Sequence, residues 1–103
     1  MKVYIAGKIT GDPFYKSKFR RYEEILQQSG HVVLNPANLP EGLKPEEYMR
    51  ICFAMIDMAA AVCFLPGYEE SKGALLEFQY CRYIGKPVGI FGADGIFRPT
   101  IAI

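Results

Sequence analysis

The sequence has little of what metal, redox and nucleic-acid chemistry require. Its three cysteines, Cys52, Cys63 and Cys81, are odd in number, sit in apolar contexts and lack CxxC spacing. A paired-thiol metal or redox motif is thereby excluded, and reduced, buried thiols are expected. The one histidine, His31, follows a glycine and precedes an apolar run, which is a structural position rather than a catalytic one. Neither sign of charge is in excess: 12 Lys and Arg against 11 Asp and Glu leave a formal charge of +1. Without a basic stripe, DNA and RNA are excluded as partners, while a single nucleotide stays compatible. No apolar run is long. Met1-Lys2 leads into only five such residues, too few for a signal peptide or a membrane span, so a cytoplasmic protein with no membrane partner is expected. Repeats and low-complexity segments are absent as well. What is present is apolar content of 50% in 103 residues, enough for one domain over residues 1–103 with a small core.

Apolar runs and their breakers predict the order β-α-β-α-β-α-β. Val3-Tyr4-Ile5-Ala6 reads as a buried strand ended by Gly7. Asp12-Pro13 predicts a helix start, with Asp12 as N-cap and proline at the first helical position. Tyr15, Phe19, Tyr22, Ile25 and Leu26 then recur at helical spacing until Gly30. His31-Val32-Val33-Leu34 is the second strand. Two prolines, two asparagines and a glycine make residues 35–44 a loop. Pro45 opens a second helix with Tyr48, Ile51, Cys52, Met55 and Ile56 on one face. Ala61 to Leu65, wholly apolar, is a central third strand, and a third helix runs from near Ser71 to Ile84 before Gly85. Pro87 to Phe91 is the fourth strand. The last residues, Ile101-Ala102-Ile103, fit either a short strand or an arm packed on another subunit. The pattern predicts an α/β, flavodoxin-like (Rossmann-like) three-layer fold. Its parallel sheet has four or five strands in the order 2-1-3-4, with helices on both faces.

Ligands of such sheets bind beyond the carboxyl ends of the strands, where the strand order reverses. Here that place lies between Gly7-Lys8-Ile9-Thr10-Gly11 and the segment from Pro66 to Gly73. The helix start near Ser71 exposes N–H groups around Lys72 and Gly73 that suit an anion such as phosphate, whereas Glu69-Glu70 would repel one if they faced it. Glu77 is the most informative residue. If the helix begins at Ser71, its neighbours at three and four residues are Gly73, Ala74, Tyr80 and Cys81, and only the tyrosine hydroxyl can pair with a carboxylate. Six residues of helix rise about 9 Å, so one nucleotide-sized ligand can touch both Ser71 and Glu77.

Plainer readings stand beside these. Glu77 is equally explained as a carboxylate satisfied by Tyr4, Lys8 or a backbone N–H, and Ser71 as an N-cap. Gly7 and Gly73 fit tight turns or close packing. Lys8 and Lys72 fit solvated surface charge, and Tyr68 fits a cover over the core as well as a platform for a base. Cys52 reads as a core thiol. Asn35 and Asn38 read as residues that fix their loop by side-chain-to-backbone bonds.

Taken together, Tyr4-Ile5-Ala6-Gly7, the apolar third strand, Ser71-x-Gly73-x-x-x-Glu77 and Gly85-Lys86-Pro87-Val88 resemble the nucleoside 2-deoxyribosyltransferase superfamily. That superfamily includes the deoxynucleoside 5'-monophosphate N-hydrolases. Asn35-Pro36-Ala37 and Leu65-Pro66-Gly67-Tyr68-Glu69-x-Ser71 are most similar to a small phage-associated branch. The resemblance implies that Glu77 is a nucleophile attacking the anomeric carbon of a deoxyribose, with a glycosyl-enzyme intermediate as in retaining glycosidases. It implies that Ser71 binds a 5'-phosphate, in the place where enzymes acting on free nucleosides carry an aspartate. Tyr4, Gly7, Lys8, Tyr68 and Gly73 would complete the substrate site. No metal or organic cofactor is implied. The pattern departs at Cys52, where the family carries a helical aspartate that helps position the nucleophile and the base. Asp57 is no substitute, since five residues turn a helix by about 140°. The departing base then has no evident general acid. The expected function is binding of a nucleoside 5'-phosphate with cleavage or transfer at its N-glycosidic bond. The alternatives are a non-catalytic nucleotide binder and a structural or protein-interaction module. The expected partners are a small-molecule nucleotide or nucleoside and further copies of the chain, as a homodimer or higher homo-oligomer.

Overall fold

The computed structural model describes residues 1–92 and 97–100. The strands are β1 (Lys2–Ala6), β2 (Val32–Leu34), β3 (Ala61–Phe64), β4 (Val88–Phe91) and β5 (Phe97–Thr100), and the helices are α1 (Tyr15–Gln28), α2 (Pro45–Met58) and α3 (Lys72–Ile84). All five strands form one sheet in the order β2-β1-β3-β4-β5. The first four run parallel, with Tyr4 opposite Leu34 on one side and Val62 on the other. The expected order 2-1-3-4 is therefore the observed one. β5 joins β4 antiparallel, Ile90 facing Arg98. It lies at residues 97–100; the strand or arm expected at residues 101–103 falls outside the described residues.

Alternation along β1 divides the core in two. Val3 and Ile5 pack with Phe19, Tyr22 and Leu26 of α1, together with Cys63, Leu65 and Phe91. Tyr4 and Ala6 point the other way, toward Cys52 and Ile56 of α2, Cys81 of α3, and Val62, Phe64 and Val88 of the sheet. The chain steps from β1 to β2 in one direction and from β2 to β3 to β4 in the other. With crossovers of one hand, the helices must fall on opposite faces, as these clusters show. β3, at the middle of the sheet, buries Val62, Cys63 and Phe64, as its uninterrupted apolar run requires. Leu65 prolongs it, its N–H donating to the Ala6 carbonyl at 2.8 Å.

Phe19, Tyr22 and Leu26 form the buried stripe of α1, and full burial of such side chains contributes about 1.5–3 kcal/mol each. Gly30, at φ +87°, turns the chain out of the helix. Asp12 does not cap α1, which begins at Tyr15. Its Oδ1 instead accepts from the Phe14 N–H at 2.9 Å, closing a side-chain turn that completes itself one residue before the helix. Ile25 and Ile51, expected on buried faces, are partly exposed. Each sits one residue, hence about 100°, from a true stripe position. Lys44 rather than a Ser or Asp precedes α2, and Glu47 Oε1 accepts from the Lys44 N–H at 2.8 Å, closing that helix start from within. In the 35–44 loop, Asn35 Oδ1 accepts from the Ala37 N–H at 2.9 Å and seeds a short 3-10 turn over Pro36–Asn38.

Candidate functional site

Ser71 and Gly85 delimit α3 and so fix where Glu77 points. Ser71 Oγ accepts from the Ala74 N–H at 3.1 Å, satisfying one of the helix's orphan donors. Gly85, at φ +73°, supplies the left-handed exit. Within these ends Ala74, Glu77 and Cys81 form the buried face. Glu77 is only 5% exposed. Its Oε2 accepts a hydrogen bond from the Tyr4 hydroxyl at 2.6 Å, a short distance for an O–H donor. The Cys52 thiol of α2 lies in the same buried cluster as Tyr4 and interacts electrostatically with Tyr4 and Glu77.

Burial dominates the electrostatics of this trio. It lifts the Glu77 carboxyl from its ordinary 4.5 to about 7, against the opposing pull of the Tyr4 hydrogen bond and the nearby Cys52 thiol. The same burial, with Glu77 nearby, pushes the Tyr4 phenol well above its usual value. It pushes Cys52 up to about 11. Near neutral pH the site therefore holds two neutral donors around one carboxyl that titrates there.

The other expected residues divide between this trio and its surroundings. Tyr80, the neighbour anticipated for Glu77, turns away and donates to Asp57 Oδ1 at 2.6 Å, with its ring stacked on Phe53. Tyr68 lies with its ring centroid 5.1 Å from that of Phe64 and 6.0 Å from that of Phe78, so its ring packs against the core. Gly7 is tightly enclosed, since a Cβ there would stand 3.2 Å from both Leu65 Cβ and Phe19 Cζ. Gly73 has room: the nearest atoms to a Cβ would be Met49 Sδ and Ser71 Oγ, both at 3.9 Å. Lys72 starts α3 and is exposed.

Lys8 pairs with Glu70 Oε2 at 3.5 Å. The pair joins the loop after β1 to the loop after β3, across the place where strand order reverses. A cleft of about 250 Å³ opens there, lined by Lys8, Gly11, Asp12, Pro13, Lys18, Gly67 and Glu70. Lys18 donates from Nζ to the Pro66 carbonyl, tying α1 to the β3–α3 loop. Gly67 sits at φ +87° with its missing Cβ 3.6 Å from that ammonium. Sequence reasoning did not find Lys18. The available signal for Lys18 was its place in the first turn of α1, directly beyond the Gly7–Gly11 loop.

A second cleft, of about 380 Å³, lies beside the start of α1 and is lined by Phe14, Tyr15, Lys16, Arg20 and Glu41 among others. Among the described residues no three His, Cys, Asp or Glu side chains gather as a metal site. No helix of the described residues is long and apolar enough to cross a membrane.

A mostly parallel five-stranded sheet in the order β2-β1-β3-β4-β5, covered by helices on both faces, defines a flavodoxin-like α/β protein. The chain belongs to the family described as "Domain of unknown function (DUF4406)", whose model matches residues 1–90. No curated protein matches it. Solved structures that share the fold include two enzymes. One is the 2-deoxyribosyltransferase of Bacillus psychrosaccharolyticus, with a TM-score of 0.72 and 21% identity over 89% of this chain and 72% of that one. The other is the CMP N-glycosidase BcmB of Clostridium botulinum, with a TM-score of 0.69 and 18% identity over 91% of this chain and 73% of that one.

Proposed function

We propose that this chain binds a nucleoside 5'-phosphate in the crevice between the β1 and β3 loops and cleaves, or transfers at, its N-glycosidic bond through Glu77. The observation that carries this reading is Glu77 itself: a buried carboxyl with no ion pair among the described residues, held by Tyr4 at 2.6 Å. Such a group costs stability, and a fold that carries that cost marks the residue as a functional-site candidate. The printed activities of the two fold neighbours, deoxyribosyl transfer and CMP N-glycoside cleavage, support the same class of chemistry.

In the first step a Glu77 oxygen forms a bond to the anomeric carbon. The C–N bond breaks, its electron pair leaves with the base, and the base takes a proton from solvent. The Tyr4 hydroxyl holds the attacking carboxylate in place. In the second step water, or another base, attacks the same carbon and gives up a proton to solvent, while the bond from that carbon to the Glu77 oxygen breaks and the carboxylate is freed. Ser71, at the start of α3, and Lys8 receive the phosphate, Gly73 lets the ligand approach the backbone, Gly7 lets the loop after β1 pack closely on Leu65 and Phe19 beside it, and Tyr68 borders it. The reaction needs Glu77 ionised, so it accelerates as pH rises through about 7. Assignment to the phage-associated branch, a cytoplasmic location, one domain over residues 1–103 and self-association belong to the same proposal.

A second reading, a binder that does not turn its ligand over, is favoured by Cys52. Its thiol, pushed up to about 11, stands beside Glu77 and is too weak an acid to protonate a leaving base efficiently at neutral pH. The test is to incubate the protein with each deoxynucleoside 5'-monophosphate and assay free base, with Glu77→Ala as control. Base release that the control lacks supports the enzyme. Thermal stabilisation by a nucleotide without release supports the binder.

A further inference from the structure

We propose that Glu70 is an internal competitor for the ligand's phosphate: it occupies Lys8 in the free protein, and only an anion of higher charge displaces it. This rests on the phosphate-bearing ligand proposed above. Glu70 immediately precedes the Ser71 cap, so its side chain rides on the loop that faces the crevice. Its Oε2 lies 3.5 Å from Lys8 Nζ, with the lysine side chain 31% and the glutamate side chain 73% exposed. An ion pair this long and this wet holds weakly and exchanges readily.

The cleft around the pair brings two ammonium groups from different elements, Lys8 and Lys18, onto one space of about 250 Å³. Lys18 uses one N–H on the Pro66 carbonyl and keeps two. Asp12, the other carboxylate on the lining, already accepts the Phe14 N–H through Oδ1. Asp12 keeps its charge but makes no ion pair with Lys8, so Glu70, which does, is the carboxylate that an entering anion must replace there. A phosphate monoester, near −2 at neutral pH, gains more from Lys8 and Lys18 than the single carboxylate it displaces. A carboxylate ligand of charge −1 gains nothing by the exchange. Glu70 then makes the crevice selective for phosphate monoesters over singly charged anions.

Calorimetric titration with inorganic phosphate, acetate, a deoxynucleoside 5'-monophosphate and the matching nucleoside tests this on the parent, Glu70→Gln, Lys8→Gln and the double variant. Glu70→Gln is expected to tighten phosphate and nucleotide roughly two- to fivefold, the weight of one exposed competing charge. It should also admit acetate, leave the nucleoside unchanged, and lose its gain when Lys8 is also Gln. Melting curves verify that each variant folds. Nucleotide binding that Glu70→Gln leaves unchanged or weakens overturns the proposal while the nucleotide reading stands. Tightened phosphate binding with no nucleotide bound or cleaved by any variant keeps Glu70's role and removes the nucleotide reading. Binding of none of the anions to any variant overturns both.

Discussion

The Tyr4 hydroxyl and Glu77 Oε2 stand 2.6 Å apart across 73 residues of sequence, a pairing made by the sheet rather than by the helix that carries Glu77. Tyr4 projects from β1 toward the face covered by α2 and α3, and α3 turns Glu77 inward onto it. The hydrogen bond favours the ionised carboxyl and burial disfavours it; burial wins, leaving Glu77 near 7.

Stability should register that balance. The folded value lies above the unfolded one, so the folded state holds its proton more tightly. Glu77 then costs nothing below pH 4.5, progressively more between 4.5 and about 7, and a constant amount above. The full cost is about 3 kcal/mol. Glu77→Gln should thus melt higher than the parent at pH 8 and lose most of that advantage at pH 4, as thermal unfolding across the range will measure.

Tyr4→Phe keeps the ring and removes the hydroxyl that lowers the Glu77 value. Glu77 should then titrate above 7, and any base release should shift its midpoint to higher pH. At pH 8 the variant should lose about 2 kcal/mol, the usual worth of a hydrogen bond to a charged group. A pH–rate profile and denaturant melts read the two effects separately.

Two glycines should respond oppositely to alanine. At Gly7 the new methyl meets Leu65 and Phe19 at 3.2 Å, and overpacking should cost about 1–2 kcal/mol. At Gly73 the nearest atoms are at 3.9 Å, and better helix propensity should raise stability by up to ~1 kcal/mol. If the crevice takes a nucleotide as proposed, Gly73→Ala should weaken its binding despite the gain in melting temperature.

Ser71 can be separated into cap and ligand group. Ser71→Ala removes the bond to the Ala74 N–H and should cost about 1 kcal/mol. Ser71→Asp retains a cap and should melt near the parent, yet place a negative charge against phosphate. Calorimetry with a nucleoside 5'-monophosphate should show binding lost in the second variant while stability is kept.

The thiols should be inert. Burial pushes Cys52 to about 11 and Cys63 and Cys81 to about 12, so almost no thiolate exists at pH 7.5. Alkylation monitored by mass spectrometry should leave the native chain unmodified and add three groups once it is unfolded.

Much of the fold was legible because apolar runs and their breakers fall in register: the run at Ala61–Leu65 is central, Gly85 ends α3, and Ser71 begins it. The start of α1 was misread because Asp-Pro serves a side-chain turn as well as a helix cap, and only the Phe14 N–H decides between them. β5 was missed at its actual place because Arg98 and Pro99 give no strand signal; the open edge of β4 recruits it. The partners of Glu77 and Lys8 lie 73 and 62 residues away. Tyr4 was among the candidates for Glu77, but choosing it over Lys8 required the three-dimensional placement of β1 against α3.

Pro99 stands opposite Gly89 in β5, the strand at one margin of the sheet. Proline carries no N–H, so the outward row of donors on that margin is interrupted. β4 behind it, Val-Gly-Ile-Phe, would make an adhesive margin if bared. This last described strand thus acts as a selvedge, disfavouring strand-by-strand extension of the sheet at that margin.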